Sequence, residues 1–150
     1  MPGYGLPKGT KGLLPWSWAE QRLRRSHNYW LVTVGTGSRP HAMPVWGIWV
    51  DGRFFFSTGR ESRKARNLAS NQQCVVCTEK SPEAVIVEGM AAAVADPALF
   101  KRLQPVYHRK YKPWKLEQDL GPVFEVRPRV IFGLREKTFN AATRWILERG

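Results

Sequence analysis

The chain has little of what most directly marks a chemistry. Two cysteines, Cys74 and Cys77, and three histidines, His27, His41 and His108, are its only thiols and imidazoles in 150 residues. A disulfide framework needs more thiols than that. The single Cys-x-x-Cys encloses Val75 and Val76 in a stretch that reads as a buried strand, where residues three apart point to opposite faces and the thiols diverge. A zinc site needs two further ligands at suitable spacing, and a redox pair would sit at a helix start. Neither condition is met, so both cysteines read as structural and no metal is expected. No Ser-His-Asp set or carboxylate pair stands out as a catalytic centre. No apolar run approaches the roughly 18 residues of a membrane span. The N-terminus lacks the charged-then-apolar pattern of a secretory signal, so a cytoplasmic protein without a membrane partner is expected. Acidic residues are scarce: 12 against 24 Lys and Arg, a net charge of +12.

What is present bounds the class. The length suits one domain with a real core, and 43% hydrophobic content argues against disorder. The cations favour an anionic partner, whether nucleic acid, acidic lipid or a phosphorylated small molecule. They gather at Arg22/Arg24/Arg25, at Arg60/Arg63/Lys64/Arg66 and at Lys101/Arg102 rather than in a tail.

Residues 1–15 are rich in Gly and Pro and read as an irregular N-terminal arm, leaving 16–150 as one domain. A short amphipathic helix is expected from Trp16 to Arg25, with Ser17 as its cap and Glu20 at capping-box distance. Strands follow at Tyr29 to Val34 and His41 to Val50. Asp51-Gly52 signals a hairpin into a return strand from Arg53 to Ser57. A helix is expected over residues 62–70, then strands from Gln73 to Thr78 and from Ala84 to Ala95. Asp96-Pro97 opens another helix, with Asp at the cap and Pro in the first turn, and Lys112-Pro113 ends it. Pro122 to Val126, Arg129 to Arg135 and a last segment from Thr138 to Leu147 complete the chain. Six or seven mostly consecutive strands with two or three helices do not alternate as βαβ units. The expected fold is mainly β, an antiparallel barrel with peripheral helices.

The most informative stretch runs from Phe54 to Leu68. An aromatic strand enters a Ser/Thr/Gly turn, and a helix opens with Ser62, Arg63 and Lys64. Cations in a first helical turn conflict with the positive end of the helix dipole. An anion held there removes the conflict, because free backbone N–H groups and positive side chains converge on it. A solvated basic helix merely capped by Ser62 is the other reading.

The order of elements and this motif resemble the split-barrel flavin-binding proteins of the pyridoxamine 5′-phosphate oxidase-like superfamily, over roughly residues 27 to 135. The resemblance implies that Ser62, Arg63 and Lys64 hold the cofactor phosphate. Ser57 and Thr58 would lie beside the ring and ribityl chain, Gly59 would also be at the cofactor, and Met43-Pro44-Val45-Trp46 would supply the strand along the ring. In the oxidases that make pyridoxal phosphate an Arg on that second strand also grips the phosphate. His41 stands at the matching position here, and the oxidases' C-terminal substrate-binding Arg–His motif has no counterpart. The resemblance thus implies the fold and a cofactor phosphate rather than vitamin B6 oxidation.

Tyr29 to Val34, Pro44 to Trp49 and the late Ala142-Thr143-Arg144-Trp145 look like the branch that uses the deazaflavin coenzyme F420, whose acidic tail would suit the surplus of cations. FMN is the alternative. On this resemblance the protein is an oxidoreductase passing a hydride between F420 and a small organic substrate. It would be a homodimer with cofactor clefts at the interface, Arg144 and Trp145 of one chain reaching the other's cleft. A non-enzymatic cofactor or haem carrier and a nucleic-acid-binding barrel are rival classes. The second is disfavoured because the cations cluster at helices instead of alternating with aromatics along strands.

Overall fold

A computed structural model describes residues 13–147, so most of the arm expected at 1–15 lies outside the described residues. The elements are α1 (Trp16–Arg25), β1 (Tyr29–Gly35), β2 (Arg39–Val45), β3 (Ile48–Val50), β4 (Arg53–Ser57), α2 (Arg63–Ser70), β5 (Gln73–Thr78), β6 (Glu83–Ala93), α3 (Pro97–Tyr111), β7 (Val123–Arg135) and β8 (Thr143–Ile146). Eight antiparallel strands form one sheet in the order β2-β1-β5-β6-β7-β4-β3, with β8 also on β7. This is the antiparallel barrel expected from the strand pattern, in the split form that the family resemblance implies.

The curl of the sheet follows from its connectivity. β2 and β3 stand at opposite ends of the strand order, yet only Trp46 and Gly47 separate Val45 from Ile48. Three Cα–Cα steps span at most roughly 11 Å, so the two ends of the sheet must nearly meet. One strand was expected from His41 to Val50; the chain instead breaks at Trp46-Gly47 to cross this seam. Only glycine fits the crossing. A Cβ on Gly47 would lie 2.1 Å from Cζ of Phe54 and 2.8 Å from the carbonyl oxygen of Phe55.

β7 replaces the two late strands expected around Pro128. Its first half pairs with β4 (Phe54 opposite Val126) and its second half with β8 (Ile131 opposite Trp145), while β6 runs along its other edge. The register shifts where β7 changes partner: Glu88 faces Val130 and Gly89 faces Pro128, leaving Arg129 as the extra residue of a bulge. Pro128 is tolerated because it sits at that irregularity, where a missing N–H disrupts least.

Helix α1 spans Trp16–Arg25 as expected, but its cap differs: Pro15 holds the cap position with no side-chain cap, and Ser17 lies within the first turn. Glu20 accepts the indole N–H of Trp49 and pairs with Arg24. Trp18, Ala19 and Leu23 are buried against a core of Tyr29, Leu31, Phe54, Phe56, Val85, Val87 and Ile131 inside the barrel. A second cluster forms under α3, where Leu103, Tyr107 and Tyr111 meet Ile48 and Phe55. Asp51 and Gly52 take φ values of 51° and 76°, the paired left-handed conformation of a tight hairpin. Cys74 is buried, Cys77 half-buried, and both are free thiols on β5; burial pushes the Cys74 thiol up to about 12, so it is inert.

Candidate functional site: the start of helix α2

Ser62 caps α2 from extended backbone, its Oγ accepting the N–H of Ala65 at 3.1 Å. The same oxygen lies 2.9 Å from Oγ1 of Thr58, which ties the helix start to the end of β4. The turn between them is braced from behind. Arg60 donates its N–H to Leu120 at 2.9 Å and Thr58 to Pro122 at 3.4 Å. Gly121 lies so close that a Cβ would fall 2.0 Å from the carbonyl oxygen of Thr58 and 2.5 Å from the N of Arg60. With Ala65 on the cap and Arg66 bonded to Ser62, the N–H groups of Arg63 and Lys64 are the helix's orphan donors. No acidic residue occupies the first turn. Fixed donors and two cations therefore share one end of a dipole with no acid in the first helical turn, although Glu61 precedes the cap.

β2 forms the facing wall. Residues paired across an antiparallel ladder share a face. His41 lies opposite Thr33, Met43 opposite Leu31 and Val45 opposite Tyr29. All three partners are buried, so His41, Met43 and Val45 lie on the inner face of the sheet. Val45 is covered, whereas Met43 is 40% exposed, because the strand order ends at β2 and the inner face opens there. Thr33 accepts a hydrogen bond at 3.0 Å from the buried Asn67 of α2, tying the helix to β1, on which β2 is paired. His41 is half-buried, and its Nδ1 is shut from solvent without a hydrogen-bond partner. Desolvation, and then the charges of Arg63 and Lys64, lower its pKa, so it is neutral in the absence of an anion.

The structure thus places His41 within the field of Arg63 and Lys64 and joins Thr58 to Ser62; Ser57 and Gly59 flank Thr58 in the chain, and Met43 follows His41 on the same face of β2. Pro44 lies on the opposite, exposed face of β2. Trp46 is at the seam, 37% exposed and stacked on Tyr111 with ring centroids 4.6 Å apart and planes 4° apart. Trp145 packs edge-on against Trp16 of its own chain at 5.4 Å. Arg144 is exposed on β8. Sequence reasoning missed Arg39, which lines a cavity of about 330 Å³ with Arg63, Arg66, Asn67 and Ser70. None of these three arginines has an ion-pair partner among the described residues. It also missed Lys110. That ammonium donates to the hydroxyl of Tyr29 at 2.7 Å and to the carbonyl of Gly47 at 2.8 Å, and burial lowers it to about 8. A lone Lys late in a helix gave no signal of either contact.

Among the described residues no group of three or more His, Cys, Asp or Glu could hold a metal ion, and no helix is long and apolar enough to cross a membrane. No functionally curated protein is significantly similar in sequence. Solved structures share the architecture. General Stress Protein 26 of Bacillus anthracis superposes with a TM-score of 0.68 at 16% identity, covering 87% of this chain and 97% of that one. An F420 reductase gives 0.60 at 21% identity, covering 75% and 94%. A haem-binding protein of Mycobacterium smegmatis gives 0.68 at 16% identity, covering 89% and 59%. At such identities the likeness is one of fold. The split barrel agrees with the profile of the pyridoxamine 5′-phosphate oxidase family, which matches residues 18–134, and the chain belongs to that family.

Proposed function

We propose that the chain is an oxidoreductase that holds the phosphate of a flavin-type cofactor at the start of α2, with coenzyme F420 ahead of FMN. The observation that carries this is the convergence at α2 of two orphan N–H donors with Arg63 and Lys64, near the imidazole of His41, with no acid in the first helical turn. Such a set fits a phosphate. When bound, the cofactor supplies the hydride chemistry; the protein binds, orients and excludes water. Lys64 and Arg63 neutralise the phosphate, and His41 turns from neutral acceptor to charged donor as the anion offsets its cationic neighbours. Thr58 and Ser62 hold the turn in shape, and the Met43–Trp46 backbone lies beside the ring. Preference for F420 rests on the Arg39–Arg63–Arg66 cavity, which suits an acidic tail that FMN lacks. The substrate is a small organic molecule.

The outer face of the sheet supports a homodimer. Pro44, Trp30, Cys77, Ile86 and Phe132 lie side by side across five strands, and Trp30 is 48% exposed. Apolar surface this continuous marks an interface. The row ends at Arg144, paired with Phe132. A two-fold axis along the strands would set Arg144 over the partner's Pro44, at the strand proposed to carry the ring.

The test is a titration of the purified protein with F420 and with FMN, followed by Trp quenching. F420 is expected to bind more tightly. Lys64→Ala should weaken it about ten- to a hundred-fold, the loss of one charge-assisted bond. Tighter FMN binding overturns the cofactor preference. Unchanged affinity in both Lys64→Ala and Arg63→Ala overturns the site.

A further inference from the structure

A second cavity, of about 440 Å³, opens between the end of α1, the β3–β4 hairpin and α3. It shares no lining residue with the α2 site. Its volume falls in the range of small-molecule sites. Its lining divides by chemistry. Ile48, Trp49, Val50 and Val106 supply apolar surface, and Arg24, Arg109 and Lys110 supply charge. The one acid among the lining residues, Asp51, is already paired with Arg102 at 2.5 Å. Arg24 is partly neutralised by Glu20 at 3.5 Å. Arg109 has no ion-pair partner among the described residues.

Lys110 sharpens the picture. An ammonium has three N–H donors, and two are taken by Tyr29 and Gly47. The third has no acceptor among the described residues. The groups acting on Lys110 are the phenols of Tyr29 and Tyr111, over whose rings it also lies at 4.7 and 5.2 Å, and the more distant carboxylate of Glu79. Tyr29 and Tyr111 are themselves held protonated by burial, so neither supplies a counter-charge. A partly desolvated cation beside an unpaired guanidinium is unfavourable unless an anion completes the set.

We infer that this cavity binds a small carboxylate with an apolar body. The carboxylate would lie between Arg109 and the free N–H of Lys110, and the body against Val50 and Val106. A bare oxyanion would leave the apolar lining wet, and a neutral amphiphile would leave the cations unpaired. The inference is independent of the cofactor reading.

Isothermal titration with sodium hexanoate, sodium octanoate and indole-3-acetate tests it, with acetate and octan-1-ol as controls. At least one of the three amphiphilic carboxylates is expected to bind at one site per chain, at least tenfold more tightly than either control. Arg109→Ala should weaken that binding about tenfold. Val106→Asp, at a half-buried position of the cavity wall, should weaken it further by adding a like charge; circular dichroism of both variants checks that they fold. Absence of binding by all three probes overturns the inference, as does octan-1-ol binding as tightly as octanoate. Equal affinity in the wild type and folded Arg109→Ala also overturns it.

Discussion

Gly121→Ala tests whether the bracing of the α2 turn is as tight as its geometry implies. The new methyl would lie 2.0 Å from the oxygen of Thr58, 2.5 Å from the N of Arg60 and 2.8 Å from the carbonyl carbon of Gly59. All three are backbone atoms, so no rotamer change relieves the overlap. The two chain segments must separate by more than an ångström, stretching or breaking the 2.9 Å bond from Arg60 to Leu120. Overpacking of this kind costs about 1–3 kcal/mol, and the lost hydrogen bond about 1 kcal/mol more. For a chain of this size the sum lowers Tm by roughly 5–15 °C. The internal control is Gly59→Ala, in the turn that Gly121 packs against, where an added Cβ meets nothing within 4 Å; it should be neutral or slightly stabilising. Thermal unfolding of both variants by far-UV circular dichroism decides. A Gly121→Ala protein melting within about 2 °C of the wild type refutes the account of a rigid turn, and with it the preorganisation of the Arg63 and Lys64 donors.

Other outcomes are fixed by the same geometry. Ser62→Ala removes the cap on Ala65 and the link to Thr58 and should cost about 1 kcal/mol, read as a drop of roughly 2–4 °C in Tm. Lys110, lowered to about 8 from its ordinary 10.5, binds fewer protons in the folded than in the unfolded chain between those values, so stability should rise with pH from about 8 to 10. Above pH 10 the raised Tyr29 and Tyr111 act in the opposite sense; urea unfolding across this range should lose the rise in Lys110→Met. Trp30→Asp places a charge in the exposed apolar row and should shift sedimentation toward the monomer while leaving far-UV circular dichroism unchanged. Arg144→Ala should weaken cofactor binding without dissociating the dimer, which titration and sedimentation of the same sample would separate.

Much of this was legible in the residues. Ser62 caps α2 and Asp96 caps α3, because a hydroxyl or carboxylate at an extended residue finds the N–H two or three positions on whatever the tertiary setting. Asp51-Gly52 closes a hairpin for an equally local reason. Ser17 was the wrong cap because the helix starts at Trp16, whose ring packs on Trp49 and Trp145, far away in sequence. The break at Trp46-Gly47 was invisible because it answers to the closure of the sheet. β7 reads as two strands because Pro128 looks like a terminator until a bulge accommodates it. Within the site, the cluster at residues 57–64 is contiguous and could be read directly. Arg39 and Lys110 could not, since each meets its neighbours only through register or helix docking.

The seam at Trp46-Gly47 makes this barrel a ring closed by a covalent link instead of a final row of hydrogen bonds. A nick would therefore have opposite results at two sites only a few residues apart. Cutting between Asp51 and Gly52 leaves β3 and β4 paired and the ring intact, so new termini there are compatible with the fold. Cutting between Trp46 and Gly47 releases the covalent tether between the sheet's two ends, leaving the grip of Tyr111 and Lys110 on Gly47 and the packing of α1 and the core on Trp49 to keep the sheet from uncurling. A circular permutant opened at the hairpin should assemble. One opened at the seam would carry the whole entropy of bringing β2 back to β3.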